Sequence, residues 1–90
     1  METNVIRVRY WASARAAAGT DAEDVAVDGP VTLADLRARL AEAHPGTTLA
    51  RVLDVCSVLL GDRPVKGQDP ATVTVDPGTT VEFLPPFAGG

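Results

Sequence analysis

The stretch TLADLRARLAEAHPG, Thr32 to Gly46, carries the clearest periodicity in this 90-residue chain. Leu33, Leu36, Leu40 and Ala43 recur at intervals of three, four and three, which places them on one stripe of a helix. Thr32 is a natural N-cap, and Asp35, three residues on, resembles a capping box with a shorter acid. Pro45 and Gly46 stop the helix. A single amphipathic helix covers one face of a sheet, so the rest of the chain is expected to supply strands for that face.

The flanking segments read accordingly. VIRVRYW, Val5 to Trp11, alternates: Ile6, Val8 and Tyr10 share one face, and Arg7, Arg9 and Trp11 the other. ASARAAAG, Ala12 to Gly19, has the composition of a short helix closed by a left-handed glycine. Asp24 to Val27 is a brief second strand, punctuated by Asp28-Gly29-Pro30. Leu49 to Val55 holds another helical turn. Cys56 to Leu60 reads as a buried strand, turned back by Gly61-Asp62-Arg63-Pro64. Gly67 to Pro70 is loop, Ala71 to Val75 a short extended segment, and Asp76-Pro77-Gly78 a turn with Pro and Gly in favoured places. TVEFL, Thr80 to Leu84, is the last strand, with Val81 and Phe83 on one face and Glu82 and Leu84 on the other. This order predicts an α+β domain over residues 1–84, a mixed sheet of four to five strands on one main helix, which is the ubiquitin-like β-grasp. Residues 85–90 form a separate extended tail.

Composition narrows the function. A chain this short buries somewhat over ~60% of its unfolded surface, enough for one core but not for a deep self-contained active site. The formal charge is −4, with one lysine, Lys66, and no basic run, which argues against nucleic-acid binding. METNVIRV lacks a long apolar stretch, so neither a signal peptide nor a membrane span is expected, and a cytoplasmic location follows. The single cysteine, Cys56, cannot form an internal disulfide; in its apolar run it reads as a buried structural thiol with nothing nearby to lower its pKa. It also excludes an iron–sulfur site, and no cluster has metal-ligand spacing. His44 falls in the last helical turn, where it suits the dipole and has no catalytic partner in view. The acids at 21, 23, 24 and 28 read as a solvated edge.

Alternation places Trp11 and Leu84 on the face that the helix does not cover. With the first and last strands as neighbours, they would form an apolar patch where the tail leaves, a composition suited to a protein partner. A loop from Gly61 to Pro70 folded over the patch is the alternative. The tail itself is LPPFAGG, Leu84 to Gly90. Pro85 and Pro86 favour an extended conformation and remove two backbone donors, so the strand cannot run through them. The four residues beyond Pro86 reach up to about 13 Å. Phe87 offers an apolar anchor, and Ala88, Gly89 and Gly90 form a slim tip that fits a narrow site. Its reactive group is the Gly90 carboxylate, ionised at neutral pH and a poor acyl donor until activated externally, most economically by adenylation.

These residues carry a resemblance. VRYWASARAAAG, TLADLRARL and VEFLPPFAGG are similar to the opening strand and small helix, main helix, and last strand and tail of the MoaD-type small subunits of molybdopterin synthase, in the MoaD/ThiS sulfur-carrier family. Two hairpins depart from that pattern: Gly78-Thr79-Thr80-Val81 stands where the family usually has Gly-Asp-Glu-Val, and Leu60-Gly61 where it has Asn-Gly. The resemblance implies a carrier with no bound cofactor and no catalysis of its own. Gly90, preceded by Gly89, would be adenylated by a MoeB-type E1-like enzyme using ATP and converted to a thiocarboxylate. The tail would then enter a MoaE-type large subunit, which holds the catalytic residues, and give its sulfur to cyclic pyranopterin monophosphate. Trp11, Arg15 and Leu84 match positions that face the partner in relatives, and Pro85, Pro86, Phe87 and Ala88 would follow the tail into it. The alternatives are a sulfur carrier for thiazole or cysteine synthesis, a ubiquitin-like modifier joined through Gly90, and a plain binding module.

Overall fold

The computed structural model describes residues 4–86. Strand β1 (Val5–Tyr10) leads into α1 (Ala12–Ala18) and β2 (Ala22–Ala26). The two-residue β3 (Val31–Thr32) runs directly into α2 (Leu33–Ala43), followed by α3 (Leu49–Asp54). Then come β4 (Ser57–Leu60), β5 (Arg63–Val65), a 3-10 turn (Pro70–Thr72), β6 (Thr74–Val75) and β7 (Thr80–Leu84). The main sheet has the order β2-β1-β7-β4-β5, with β1 and β7 parallel at its centre and the other pairings antiparallel; β3 and β6 form a separate ribbon. This is the β-grasp.

The helix that organises the sequence organises the core. The Thr32 hydroxyl accepts the Asp35 amide at 3.0 Å, as an N-cap should. The Asp35 carboxylate does not reach back to close the box; it accepts from Arg39 Nε at 2.9 Å, one turn on. Leu33, Leu36 and Leu40 are fully buried against Ile6, Val8, Tyr10, Val81 and Phe83, so both predicted faces meet. The fourth stripe position does not join them: Ala43, the last residue of the helix, is exposed. Leu49 and Leu53 of α3 and Ala14 of α1 join the cluster, together with Val27, Val58, Val73 and Val75. Tyr10 and Phe83 stack at 6.3 Å between ring centroids on paired positions of β1 and β7.

Gly19 caps α1 in the left-handed region at φ 76° and returns its N–H to the Arg15 carbonyl at 2.9 Å. Asp76-Pro77-Gly78 is a type II-like turn: Gly78 sits at φ 90° and the Thr79 amide donates to the Asp76 carbonyl at 3.2 Å.

Three local expectations give way. The strand expected over 56–60 is Ser57–Leu60, with only Val58 buried, and Cys56 lies before it. Residues 71–75 are not one extended segment. Asp69 caps a 3-10 turn, its carboxylate accepting the Ala71 amide at 3.0 Å, and Pro70 starts that turn with a preset φ. Glu23 is not part of a solvated edge; its carboxylate turns inward to Tyr10 and His44.

Truncating Leu36 to Ala should lower unfolding free energy by about 2–5 kcal/mol in urea titrations. Thr32→Ala, which loses only the cap, should cost about 1 kcal/mol.

Candidate functional site

Among the described residues, the face of the main sheet turned away from α2 carries no second helical layer, and strand register determines what it displays. Arg7 stands opposite Asp24 on β2 and forms an exposed ion pair with it at 3.3 Å. Arg9 pairs with Glu82 of β7, Glu82 with Leu59 of β4, and Leu59 with Pro64 of β5. One row on, Leu84 stands opposite Ser57. The face is therefore ionic towards β2 and apolar towards β5. On the apolar side the surface sinks into a groove of about 540 Å³. Trp11 and Ala12 border it beyond β1, Pro64 and Val65 border it on β5 with Lys66 just past that strand, and Ser57, Leu59 and Leu84 lie between. Pro85 and Pro86, where the chain has left the last strand, line the same groove.

Trp11 is 42% exposed yet well held. Its indole Nε1–H donates to Glu82 Oε1 at 2.9 Å, and the Arg9 guanidinium lies over the ring at 5.0 Å from the centroid. Arg9 also reaches Glu82 Oε1 at 3.9 Å. The backbone at Trp11 is still extended, and its amide bonds the Phe83 carbonyl at 3.2 Å. Ala12 then takes φ 49°, a left-handed conformation that costs an L-residue roughly 1–2 kcal/mol. That kink sends α1 towards the core, where Ala14 is buried, and leaves Trp11 on the open face.

The structure thus brings together Trp11, Leu84, Pro85 and Pro86. Arg15 is not among the groove residues; it is exposed one turn along α1. Phe87, Ala88, Gly89 and Gly90 lie outside the described residues. The segment considered as a cover for the patch, Gly61 to Pro70, begins instead by pairing β5 beside β4 and so widens the open face. Sequence alone does not single out the groove residues Leu59 and Pro64, or the hold of Glu82 and Arg9 on Trp11. Alternation flags Glu82 as outward, but only the β1–β7 register shows which residue it faces.

Residues 8–90 match the ThiS family. The chain belongs to this family. A molybdopterin synthase sulfur carrier subunit from Aspergillus niger is 31% identical over 88 residues, 98% of this chain and 97% of that protein. Among solved structures, small archaeal modifier protein 1 from Haloferax volcanii superposes with a TM-score of 0.76 at 25% identity, over 96% of this chain and 99% of that one. Subunit 1 of the Helicobacter pylori molybdopterin-converting factor, solved as a complex with subunit 2, has the same fold: TM-score 0.64, 24% identity, 96% and 99% coverage.

Away from the groove, this ThiS-family chain has a polar cluster that ties three elements together. Glu23 on β2 accepts from the Tyr10 hydroxyl at 2.6 Å, and its Oε2 lies 2.6 Å from His44 Nε2. His44 also sits edge-on to Tyr10, with ring centroids 6.3 Å apart. The cluster ties the end of α2 to β1 and β2, beyond the dipole role expected of His44. Burial first, then the Glu23 hydrogen bond and charge, hold the Tyr10 phenol protonated far above its usual range. Among the described residues no group of His, Cys, Asp and Glu could hold a metal ion, and no helix is long and apolar enough to cross a membrane.

Cys56 is half-buried, its thiol donating to the Val52 carbonyl at 3.2 Å. Burial pushes it up to about 11, although the nearby Arg37 pulls the other way. A charge able to lower the pKa is therefore present, contrary to expectation, but desolvation outweighs it. At pH 8 Cys56 should carry roughly a hundredfold less thiolate than an ordinary thiol. Alkylation by iodoacetamide should be correspondingly slow on the folded chain, climb until about pH 11, and reach ordinary rates in denaturant. Since the folded state keeps this proton longer than the unfolded one, Cys56 also makes stability fall as pH rises from about 9 to about 11.

Proposed function

We propose that this chain is a sulfur carrier that works through the carboxylate of Gly90. An ATP-using, E1-like enzyme of the MoeB type adenylates the carboxylate, forming an acyl–phosphate anhydride and releasing pyrophosphate. Hydrosulfide then attacks the acyl carbon, the C–O bond to AMP breaks, AMP leaves, and loss of the S–H proton gives the thiocarboxylate. Carried into a MoaE-type large subunit, that sulfur is donated to cyclic pyranopterin monophosphate in forming molybdopterin. The carrier contributes the acyl group and a docking face; the large subunit contributes the substrate site and the groups that catalyse transfer.

The observation that carries this reading is the position of the tail's root. Strand β7 is central in the sheet, ends at Leu84, and delivers Pro85 and Pro86 into an apolar groove bordered by Trp11. A partner seated on that groove grips the base of the tail, the segment whose sequence runs on to Gly90. Support from relatives is the whole-length likeness to the Aspergillus niger sulfur carrier subunit. The likeness to the Haloferax volcanii modifier favours a second reading, in which an amine rather than a sulfur nucleophile attacks the activated Gly90 and forms an isopeptide bond.

Whole-protein mass spectrometry after incubation with a MoeB-type enzyme, ATP and a sulfur donor should show one oxygen replaced by sulfur at the terminus. Conjugates through Gly90 would favour the modifier, and no change with several activating enzymes would leave a binding module. Removing Gly89 and Gly90 should abolish sulfur transfer with little effect on thermal stability; a large loss of stability would mark the tail as structural. Trp11→Ala should weaken binding to the large subunit by roughly tenfold or more, as loss of a central aromatic contact does.

A further inference from the structure

We infer that Glu82 is a positioning residue, which acts on partner recognition through Trp11 instead of touching the partner. The inference rests on the docking role proposed for the open face and adds how that face is kept ready. An indole at the edge of a sheet has freedom about two torsions and would lose it on binding. Here two contacts restrict it, and a third ties their partners to each other. Glu82 Oε1 accepts the indole Nε1–H at 2.9 Å. The same oxygen lies 3.9 Å from Arg9 Nη1. The Arg9 guanidinium in turn stands over the indole at 5.0 Å. Each member of this triangle touches the other two, so the ring is held by its polar edge and by one of its faces.

The platform is rigid too. Arg9 and Glu82 are register partners at the centre of the sheet, and the Glu82 side chain is only 19% exposed. The Trp11 backbone is fixed by its bond to Phe83. With its one polar hydrogen occupied, the indole offers the groove only carbon surface, continuous with Leu59, Leu84 and Pro64. The partner side chains that fit are therefore apolar, and none needs to supply an acceptor for the indole. Glu82 keeps the aromatic wall upright and its polar hydrogen occupied.

Trp11 is the chain's only tryptophan, so its fluorescence and near-ultraviolet circular dichroism report on the clamp without any partner. In Glu82→Ala the tryptophan anisotropy and near-ultraviolet signal should fall while the far-ultraviolet spectrum is kept. Glu82→Gln, which retains an acceptor oxygen, should preserve most of both. Unchanged tryptophan signals in Glu82→Ala would overturn the clamp, whatever the chain binds. Binding to a MoaE-type large subunit supplies the second arm. Glu82→Ala should weaken it roughly three- to tenfold, about the worth of one hydrogen bond, and Glu82→Gln much less. In a Trp11→Ala background, Glu82→Ala should have no further effect. An equal loss in both backgrounds would mean that Glu82 contacts the partner itself, and would overturn the positioning role. Loss of binding in Trp11→Ala with none in Glu82→Ala would overturn it as well, leaving the docking face intact. If neither single variant nor the double variant alters binding, the docking role of the face fails and this inference with it, while the spectra still report whether the clamp exists.

Discussion

Everything in this domain depends on the parallel pairing of β1 with β7, the first strand and the last. Val8 stands beside Val81 and Tyr10 beside Phe83, and these side chains make the floor on which Leu33, Leu36 and Leu40 rest. The opposite side of the same ladder sets Arg9 beside Glu82 and brings Trp11 to the end of the last strand. A shift of one residue would exchange the two faces entirely, sending ionic side chains into the core. Parallel neighbours need a long connection, and here nearly the whole chain serves as that connection. Closing so large a loop costs little more free energy than closing one half its length, about 0.6 kcal/mol per doubling. The long separation is felt more in the rate of folding than in the depth of the native state.

The elements legible in the sequence are those with enough residues to show a period. Six residues of alternation define β1, five define β7, and three buried leucines define α2. The faces of these elements follow directly, and so do the core and the outward placement of Trp11 and Leu84. The two-residue strands β3 and β6 have no period to detect, and their pairing is a consequence of where α2 and the 3-10 turn come to rest. The Asp69-Pro70 pair is readable in principle as a cap followed by a preset first helical residue, but the β-branched run after it points to strand. Glu23 is hidden by an acidic local sequence; its partial burial arises from Tyr10 and His44, one on the neighbouring strand and one at the end of a helix 21 residues away. The groove is a similar case. Trp11 and Leu84 can be placed by alternation, whereas Leu59 and Pro64 join them only through the order β1-β7-β4-β5.

The open face is a compromise between two demands. A single-layer sheet leaves hydrophobic side chains facing water, and a free chain must avoid indiscriminate association. Two features moderate the exposure. The half nearer β2 is covered by paired charges, Arg7 with Asp24 and Arg9 with Glu82, which contribute little stability but keep that half hydrated. At the other margin, β5 is only three residues long and carries Pro64, which cannot donate to another strand. Among the described residues of this face, unpaired apolar surface is thus confined to the groove beside the tail.

The described residues carry few strong nucleophiles, and their placement bears on the acyl-donor role proposed above. An activated carbonyl is attacked by whatever thiolate or amine reaches it first, including those of its own molecule. Here the one thiol is tied to the Val52 carbonyl and kept protonated, and the one lysine, Lys66, stands on the margin of the groove, where a docked protein would crowd it. In the proposed role, a docked partner that covers Lys66 would leave the choice of acceptor to the protein that holds the tail.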